Sequence, residues 1–191
     1  VKNGSQPLVL LLVGLPGAGK TTLARRLAPA IGAVTLSRDD IRDAIFPDAL
    51  LDYSSEQNKV GTDALLGVLD YLLFRPKPGF IIVDGKPFSR KVEIETVANL
   101  VEASGARLLI LHCVAPDAVI EGRLQRGLAD ERNVRAQRDP EKAARIRAEF
   151  EPIDLPHVVV DTSLDEKTVL DLCLKAIESA ASSEPRGPSV P

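Results

Sequence analysis

Residues 8–22 read Leu8-Val9-Leu10-Leu11-Leu12-Val13-Gly14-Leu15-Pro16-Gly17-Ala18-Gly19-Lys20-Thr21-Thr22. The first six form an unbroken apolar run of strand length, as expected of a strand buried on both faces of a parallel sheet. From Gly14 to Thr21 the residues fit G-x-x-x-x-G-K-[ST], the phosphate-binding loop. Beyond it Leu23, Leu27 and Ile31 recur at four-residue spacing, one face of a helix. Gly14, Gly17 and Gly19 let the backbone curl so that successive N–H groups converge on phosphate oxygens. A helix starting near Lys20 adds its N-terminal dipole. Lys20 would reach the β- and γ-phosphates, and the Thr21 hydroxyl would complete a Mg²⁺ shell. The whole stretch, with Leu15, Pro16, Ala18 and Thr22 included, is the expected nucleotide-binding segment.

Working outward, strands alternate with helices. Ala33–Leu36 reads as a second strand, Phe80–Asp84 as a third, Arg107–Cys113 as a fourth and His157–Val160 as a fifth. Pro29 is expected to kink or end the first helix near Ala28, with Gly32 supporting the stop. Asp39 or Asp40 is expected to cap a short helix reaching Ile45. Ser54 and Ser55 open the longest helix, with Val60, Ala64, Val68 and Leu72 as one apolar stripe and Leu65, Leu69 and Leu73 beside it. A turn follows at Pro76–Gly79, then a helix over about 90–103 and one opened by Pro116. Further helices are expected over about 141–150 and 165–180. Such alternation implies right-handed crossovers and a parallel sheet covered on both faces, an α/β fold. Ligands of such sheets sit beyond the strand C-termini. The loop after strand one, Asp39 after strand two and Asp84 at the end of strand three can therefore share one rim.

Each rim residue has a chemical reading beside a plainer one. The Asp39 carboxylate could face the γ-phosphate, orient an acceptor hydroxyl and take its proton; alternatively, Asp39 and Asp40 only cap a helix. Arg42, about one turn on, suits an anionic or polar acceptor, or is a solvated helix charge. Asp84 stands where a Walker B acid ends its strand and could hold Mg²⁺ directly or through water, or cap a loop. Lys86, Ser89 and Arg90 follow closely enough to touch substrate. Arg123 and Arg126, three apart on one helix, could stabilise charge on a transferring phosphoryl group, or form a basic solvated face.

The composition narrows the class. A chain of 191 residues with 45% apolar content suits one ordinary domain. A net charge of −3 and a pI near 5.5 argue against strong general affinity for nucleic acid, while leaving room for a local basic groove. Cys113 and Cys173 lie on apolar stretches and read as small buried hydrophobes rather than a disulfide or metal pair. No segment resembles a signal peptide or reaches membrane-spanning length, so the expectation is a cytoplasmic protein with no membrane partner. Nothing in the chain specifies an oligomeric state. The domain reading is a flexible arm over 1–7, one domain over 8–181 with a mobile lid at about 127–139, and a disordered tail over 182–191.

With these residues in view, the chain resembles the P-loop kinases of small substrates, in particular the polynucleotide-kinase-like and chloramphenicol-phosphotransferase-like group. Gly14–Thr22 is similar to that group's phosphate loop. Ser37-Arg38-Asp39-Asp40-Ile41-Arg42 looks like the segment that supplies the general base and a substrate-binding arginine in polynucleotide 5′-kinases. A weaker similarity is to adenylylsulfate kinase, although Asp40 stands where that family tends to carry an asparagine. The resemblance covers about residues 8–180. It implies a three-layer α/β/α P-loop NTPase fold with a five-stranded parallel sheet in the kinase-like order 2-3-1-4-5. It also implies ATP as donor, Asp39 as base, Arg42 on the substrate, and Arg123 and Arg126 as lid arginines on the phosphates. The Asp84-Gly85-Lys86-Pro87-Phe88 loop departs from the polynucleotide kinases, so Asp84 and Lys86 near substrate, like Lys20 on the phosphates, rest on their own positions in the chain. The expected activity is transfer of the γ-phosphate to a hydroxyl of a small molecule. The alternatives are a polynucleotide or nucleoside 5′-hydroxyl kinase and a nucleotide-switch ATPase that passes phosphate only to water.

Overall fold

Strand β1 (Leu8–Val13) lies at the middle of a five-stranded sheet, and all six of its residues are buried. The computed structural model describes residues 7–75, 79–129 and 140–182. Strand β3 (Phe80–Asp84) pairs with one side of β1 and β4 (Arg107–Val114) with the other. Strands β2 (Val34–Ser37) and β5 (His157–Asp161) form the edges, so the order is β2-β3-β1-β4-β5 with every pairing parallel.

The period-two alternation of β1 feeds two cores. Val9, Leu11 and Val13 face α3 (Ser55–Leu73) and α4 (Lys91–Ala103), packing with Leu65, Leu69, Ile94 and Val97. Leu8, Leu10 and Leu12 face α1 (Lys20–Ile31) and α7 (Glu166–Ser182), packing with Leu23, Leu27, Cys173 and Ile177. Each such buried leucine contributes roughly 1.5–3 kcal/mol. A sheet apolar on both faces requires helices on both, and this three-layer α/β/α arrangement follows. Helices α2 (Arg38–Ile45), α5 (Asp117–Ala129) and α6 (Pro140–Ala148) complete the described helices, with a single 3₁₀ turn at Asp48–Leu50. Both cysteines are free and buried, and burial pushes the Cys113 thiol up to about 12.

Local details depart from the sequence expectations. Helix α1 runs through Pro29 to Ile31. Pro29 removes one N–H near the helix end, and the Arg25 carbonyl it would have met belongs to an exposed residue that water can serve. Gly32, at φ 65°, then closes the helix on the Ala28 carbonyl. The cap of α2 is Ser37, whose hydroxyl accepts from the Asp40 N–H at 3.2 Å; Asp39 and Asp40 occupy the first turn instead. Strand β2 extends one residue further than expected, pairing Ser37 with Asp84, and this moves the cap forward. In α3 the buried line is Gly61, Leu65, Leu69 and Leu73, whereas Val60 and Val68 are exposed. A Cβ on Gly61 would lie 3.0 Å from Arg42 Cβ, so close packing against α2 selects that face. Helix α5 continues to Ala129, into the expected lid; 130–139 lie outside the described residues, as do the turn at 76–78, the arm at 1–6 and the tail at 183–191. Among the described residues no helix is long and apolar enough to cross a membrane.

Candidate active site

The phosphate loop connects β1 to α1 and is braced from two sides. The Gly14 N–H donates to the Pro87 carbonyl at 3.0 Å, tying the loop to the β3–α4 connection. From β5, the Thr162 hydroxyl donates to the Ala18 carbonyl at 2.9 Å. Arg123 on α5 donates to the Thr162 hydroxyl (2.9 Å), the Thr162 carbonyl (2.7 Å) and the Gly17 carbonyl (3.3 Å). Lys20 is largely buried. Its ammonium spans the loop mouth, donating to the carbonyls of Gly14 (2.7 Å) and Leu15 (2.9 Å).

Asp84 ends β3 directly opposite Ser37. The residue is only 1% exposed, and among the described residues Oδ1 has no hydrogen-bond partner. A buried carboxylate oxygen without a partner is costly unless a ligand or ion completes it. Gly85 follows at φ 85°, and a Cβ there would lie 2.7 Å from the Arg38 nitrogen and 2.9 Å from the Asp39 nitrogen. The first turn of α2 therefore rests on bare backbone, which carries Asp39 to the rim beside Asp84.

Beyond Asp39 the site is made of interlocked side chains. Asp39 Oδ1 accepts from Arg38 at 2.8 Å and Arg42 at 3.1 Å. The Arg42 guanidinium is almost fully buried. It also donates to Asp43 Oδ1 (3.0 and 2.8 Å) and Asn58 Oδ1 (2.8 Å), and it lies 4.6 Å from the centre of the Tyr53 ring. Tyr53 holds φ 56°, a left-handed conformation that aromatic residues seldom adopt. Gln57 secures that bend: its Oε1 accepts from the Asp52 and Tyr53 N–H groups at 3.1 and 3.3 Å, and its amide donates to the Leu50 carbonyl at 2.6 Å. Arg38 donates to the Gly85 carbonyl at 3.0 Å; burial lowers its pKa from the ordinary value, and Asp39 opposes the shift. Lys86 pairs with Glu93 at 2.8 Å.

These groups face one open cleft of about 1730 Å³. A single small-molecule site usually needs roughly 300–1,000 Å³, so there is room for two substrates. Lys20, Thr21, Asp39, Arg42, Asp84, Lys86, Arg123 and Arg126 all line it, as do Pro16, Gly17, Gly19 and Thr22. Gly14 and Leu15 contribute the carbonyls that hold Lys20, and Ala18 is buried beneath the loop. Arg123 is committed to Thr162 and Gly17, on the phosphate-loop side. Arg126 is exposed. Sequence reasoning missed Thr162, Tyr53 and Asn58 and assigned no role to Arg38. Only Thr162 carried a usable signal, since it follows the end of a strand. Among the described residues no group of three or more His, Cys, Asp or Glu could hold a metal by itself.

The fold and the loop define a P-loop kinase-like α/β domain. A family model described as an AAA domain matches residues 9–153, well over half of the chain, and the chain belongs to that family. Solved structures share the architecture. A candidate kinase from Chloroflexus aurantiacus j-10-fl superposes with TM-score 0.72 at 22% identity, over 90% of this chain and 98% of that one. Kti12 of Chaetomium thermophilum, in complex with ADP-AlF3, gives 0.70 at 16% identity over 92% and 100%. The Mycobacterium tuberculosis APS kinase CysC, in complex with AMPPNP and APS, gives 0.63 at 19% identity over 91% and 98%. At these identities the likeness is one of fold.

Proposed function

We propose that the protein is an ATP- and Mg²⁺-dependent kinase that transfers the γ-phosphate to a hydroxyl of a small molecule. The observation that carries the reading is the shared cleft: the phosphate loop, the buried Asp84 and the partly exposed Asp39 face one cavity with space beyond a nucleotide. The loop N–H groups and the α1 N-terminus would hold the triphosphate. Lys20 would exchange its two carbonyl partners for β- and γ-phosphate oxygens. The unpartnered Oδ1 of Asp84 and the Thr21 hydroxyl fit a hard cation that takes oxygen donors, with water and phosphate oxygens completing its shell. When bound, Mg²⁺ neutralises charge across the β- and γ-phosphates.

Asp39 then has the acceptor's task. Its Oδ1 is occupied by Arg38 and Arg42, which fix the carboxylate's orientation. The other oxygen would accept the hydroxyl proton as the new O–P bond forms and the bond to the β-phosphate oxygen breaks. The products are a phosphomonoester and ADP. Arg126, exposed on the cleft wall, would meet the moving phosphoryl group, while Arg123 secures the loop. Arg42 and Lys86 shape the acceptor side. The domain is taken to run over about 8–181, and the protein to act in the cytoplasm.

The test is transfer of labelled γ-phosphate from ATP across sugars, nucleosides, other neutral alcohols and 5′-hydroxyl oligonucleotides. Label on a small alcohol supports the reading. Label on oligonucleotides alone would make the protein a polynucleotide kinase. Label in free phosphate alone would make it an ATPase.

A further inference from the structure

A second cavity of about 120 Å³ opens between α3 and α4. Its exposed walls are mostly apolar, and Leu65, Leu66, Phe88, Val92 and Val97 are half of the residues that line it. Arg38, Thr62, Lys86 and Glu93 line both this recess and the main cleft, so the two spaces adjoin on the acceptor side. The Lys86–Glu93 pair stands between them, with the Lys86 ammonium 5.7 Å from the Phe88 ring centre. Phe88 is 2% exposed and held at φ 50°, a conformation that a bulky residue keeps only when its surroundings enforce it. The preceding carbonyl, of Pro87, receives the Gly14 N–H. The backbone that places this ring in the recess is thus fastened to the phosphate loop.

The two cations that line the recess are matched. Arg38 is paired with Asp39 and Lys86 with Glu93, and in the adjoining main cleft Arg42 is paired with Asp39 and Asp43. The side chains of Arg38, Lys86 and Arg42 are 14%, 17% and 4% exposed, so an anionic ligand would have to break a well-covered pair to gain a cation. A neutral ligand need break none.

We infer that the recess between α3 and α4 binds the apolar group of an uncharged alcohol, up to about the size of a phenyl ring, with the hydroxyl directed into the cleft toward Asp39. This rests on the kinase reading only in naming that alcohol as the phosphate acceptor; the binding site is testable without it. The apolar lining and limited volume select the hydrophobic group, and the paired charges select against a phosphate or carboxylate on the ligand.

The experiment uses the full chain, free and loaded with Mg²⁺ and a non-hydrolysable ATP analogue. Binding of 2-phenylethanol, glycerol and glycerol 3-phosphate is followed by ligand-observed NMR. Val92 is 61% exposed, so Val92→Phe fills the recess from its rim without disturbing the core. Thr96→Leu, at a second exposed lining position, is the companion variant. The expected result is that 2-phenylethanol binds more tightly than either glycerol compound and that Val92→Phe weakens it about tenfold. Nucleotide affinity should not change. The inference is overturned if 2-phenylethanol binds no better than glycerol, if neither variant weakens it, or if glycerol 3-phosphate binds best. Absence of nucleotide binding in the same samples would count against the kinase reading and leave the recess result standing.

Discussion

The two halves of the cleft are built by different means. The phosphate side is backbone: loop amides, a helix N-terminus and carbonyls that park one lysine. The acceptor side is side chains: Asp39, Arg38, Arg42, Asp43, Asn58 and Tyr53 hold one another in place. Backbone amides recognise a phosphate whatever molecule carries it, because all phosphates present the same oxygens. Interlocked side chains define a particular shape and charge. The first half should therefore tolerate no change and confer no acceptor preference, and the second should do the reverse.

The hardest test of that division is Lys20→Ala. It removes the positive side chain lodged in the loop mouth, so transfer should fall by at least about 10³-fold. Calorimetry should also show weaker Mg²⁺-nucleotide binding. Unchanged turnover would remove the phosphate side from the mechanism. Asp39→Asn comes next and tests the other half. The fold and the nucleotide affinity should persist, because the amide oxygen of the substituted side chain can still accept from the two arginines. Transfer should drop about 10²-fold, the scale of a lost general base. A variant with the parental rate would reduce Asp39 to an orienting partner of Arg38 and Arg42.

Gly85→Ala sharpens the comparison from the backbone side. The added Cβ would meet the Arg38 and Asp39 nitrogens at 2.7 and 2.9 Å, so the first turn of α2 must shift. The positive φ at this position adds strain. A loss of about 1–3 kcal/mol in unfolding free energy is expected, the usual cost of overpacking. The acceptor KM should rise while the nucleotide dissociation constant stays within about twofold, a change too small to register on the free-energy scale of one contact. Equal losses on both sides would show that the halves are one mechanical unit.

The same contrast governs how much could be read in the sequence. The phosphate side was legible because its determinants are contiguous: an apolar strand, three glycines, Lys20, Thr21 and a helical stripe. That Asp39 and Asp84 share one rim was legible by topology, since parallel strands bring their C-terminal ends to one edge of the sheet. The cap of α2 was misread because Ser37, Asp39 and Asp40 are all good caps, and only the pairing of Ser37 with Asp84 decides among them. Two adjacent apolar stripes on α3 were both visible, but nothing local said that α2 would press on Gly61 and leave Val60 and Val68 outside. Tyr53 and Asn58 matter through contacts with Arg42, and such pairings leave no periodic trace. The family match over 9–153 supports the fold these readings share and leaves the acceptor side to its own side chains.

A control that belongs to neither half yields the smallest effect. His112, on β4, stacks against Phe150 with ring centres 5.7 Å apart, and His157 meets it edge-on at 5.7 Å. Burial, with a smaller contribution from His157, lowers the His112 pKa from its ordinary value. The unfolded chain takes up this proton near pH 6.5, and the fold resists it until the pH is lower. Between those points the unfolded state binds more protons, so this contribution to stability is present above about pH 6.5 and fades as the pH falls through the folded pKa. His112→Phe keeps a ring against Phe150 and removes the titration. Its melting temperature should consequently fall less than the parent's between about pH 7.5 and pH 5, while nucleotide affinity at either pH matches the parent's. Parallel melting curves would assign the acid sensitivity to other groups, and a change in nucleotide affinity would show that this histidine communicates with the phosphate loop after all.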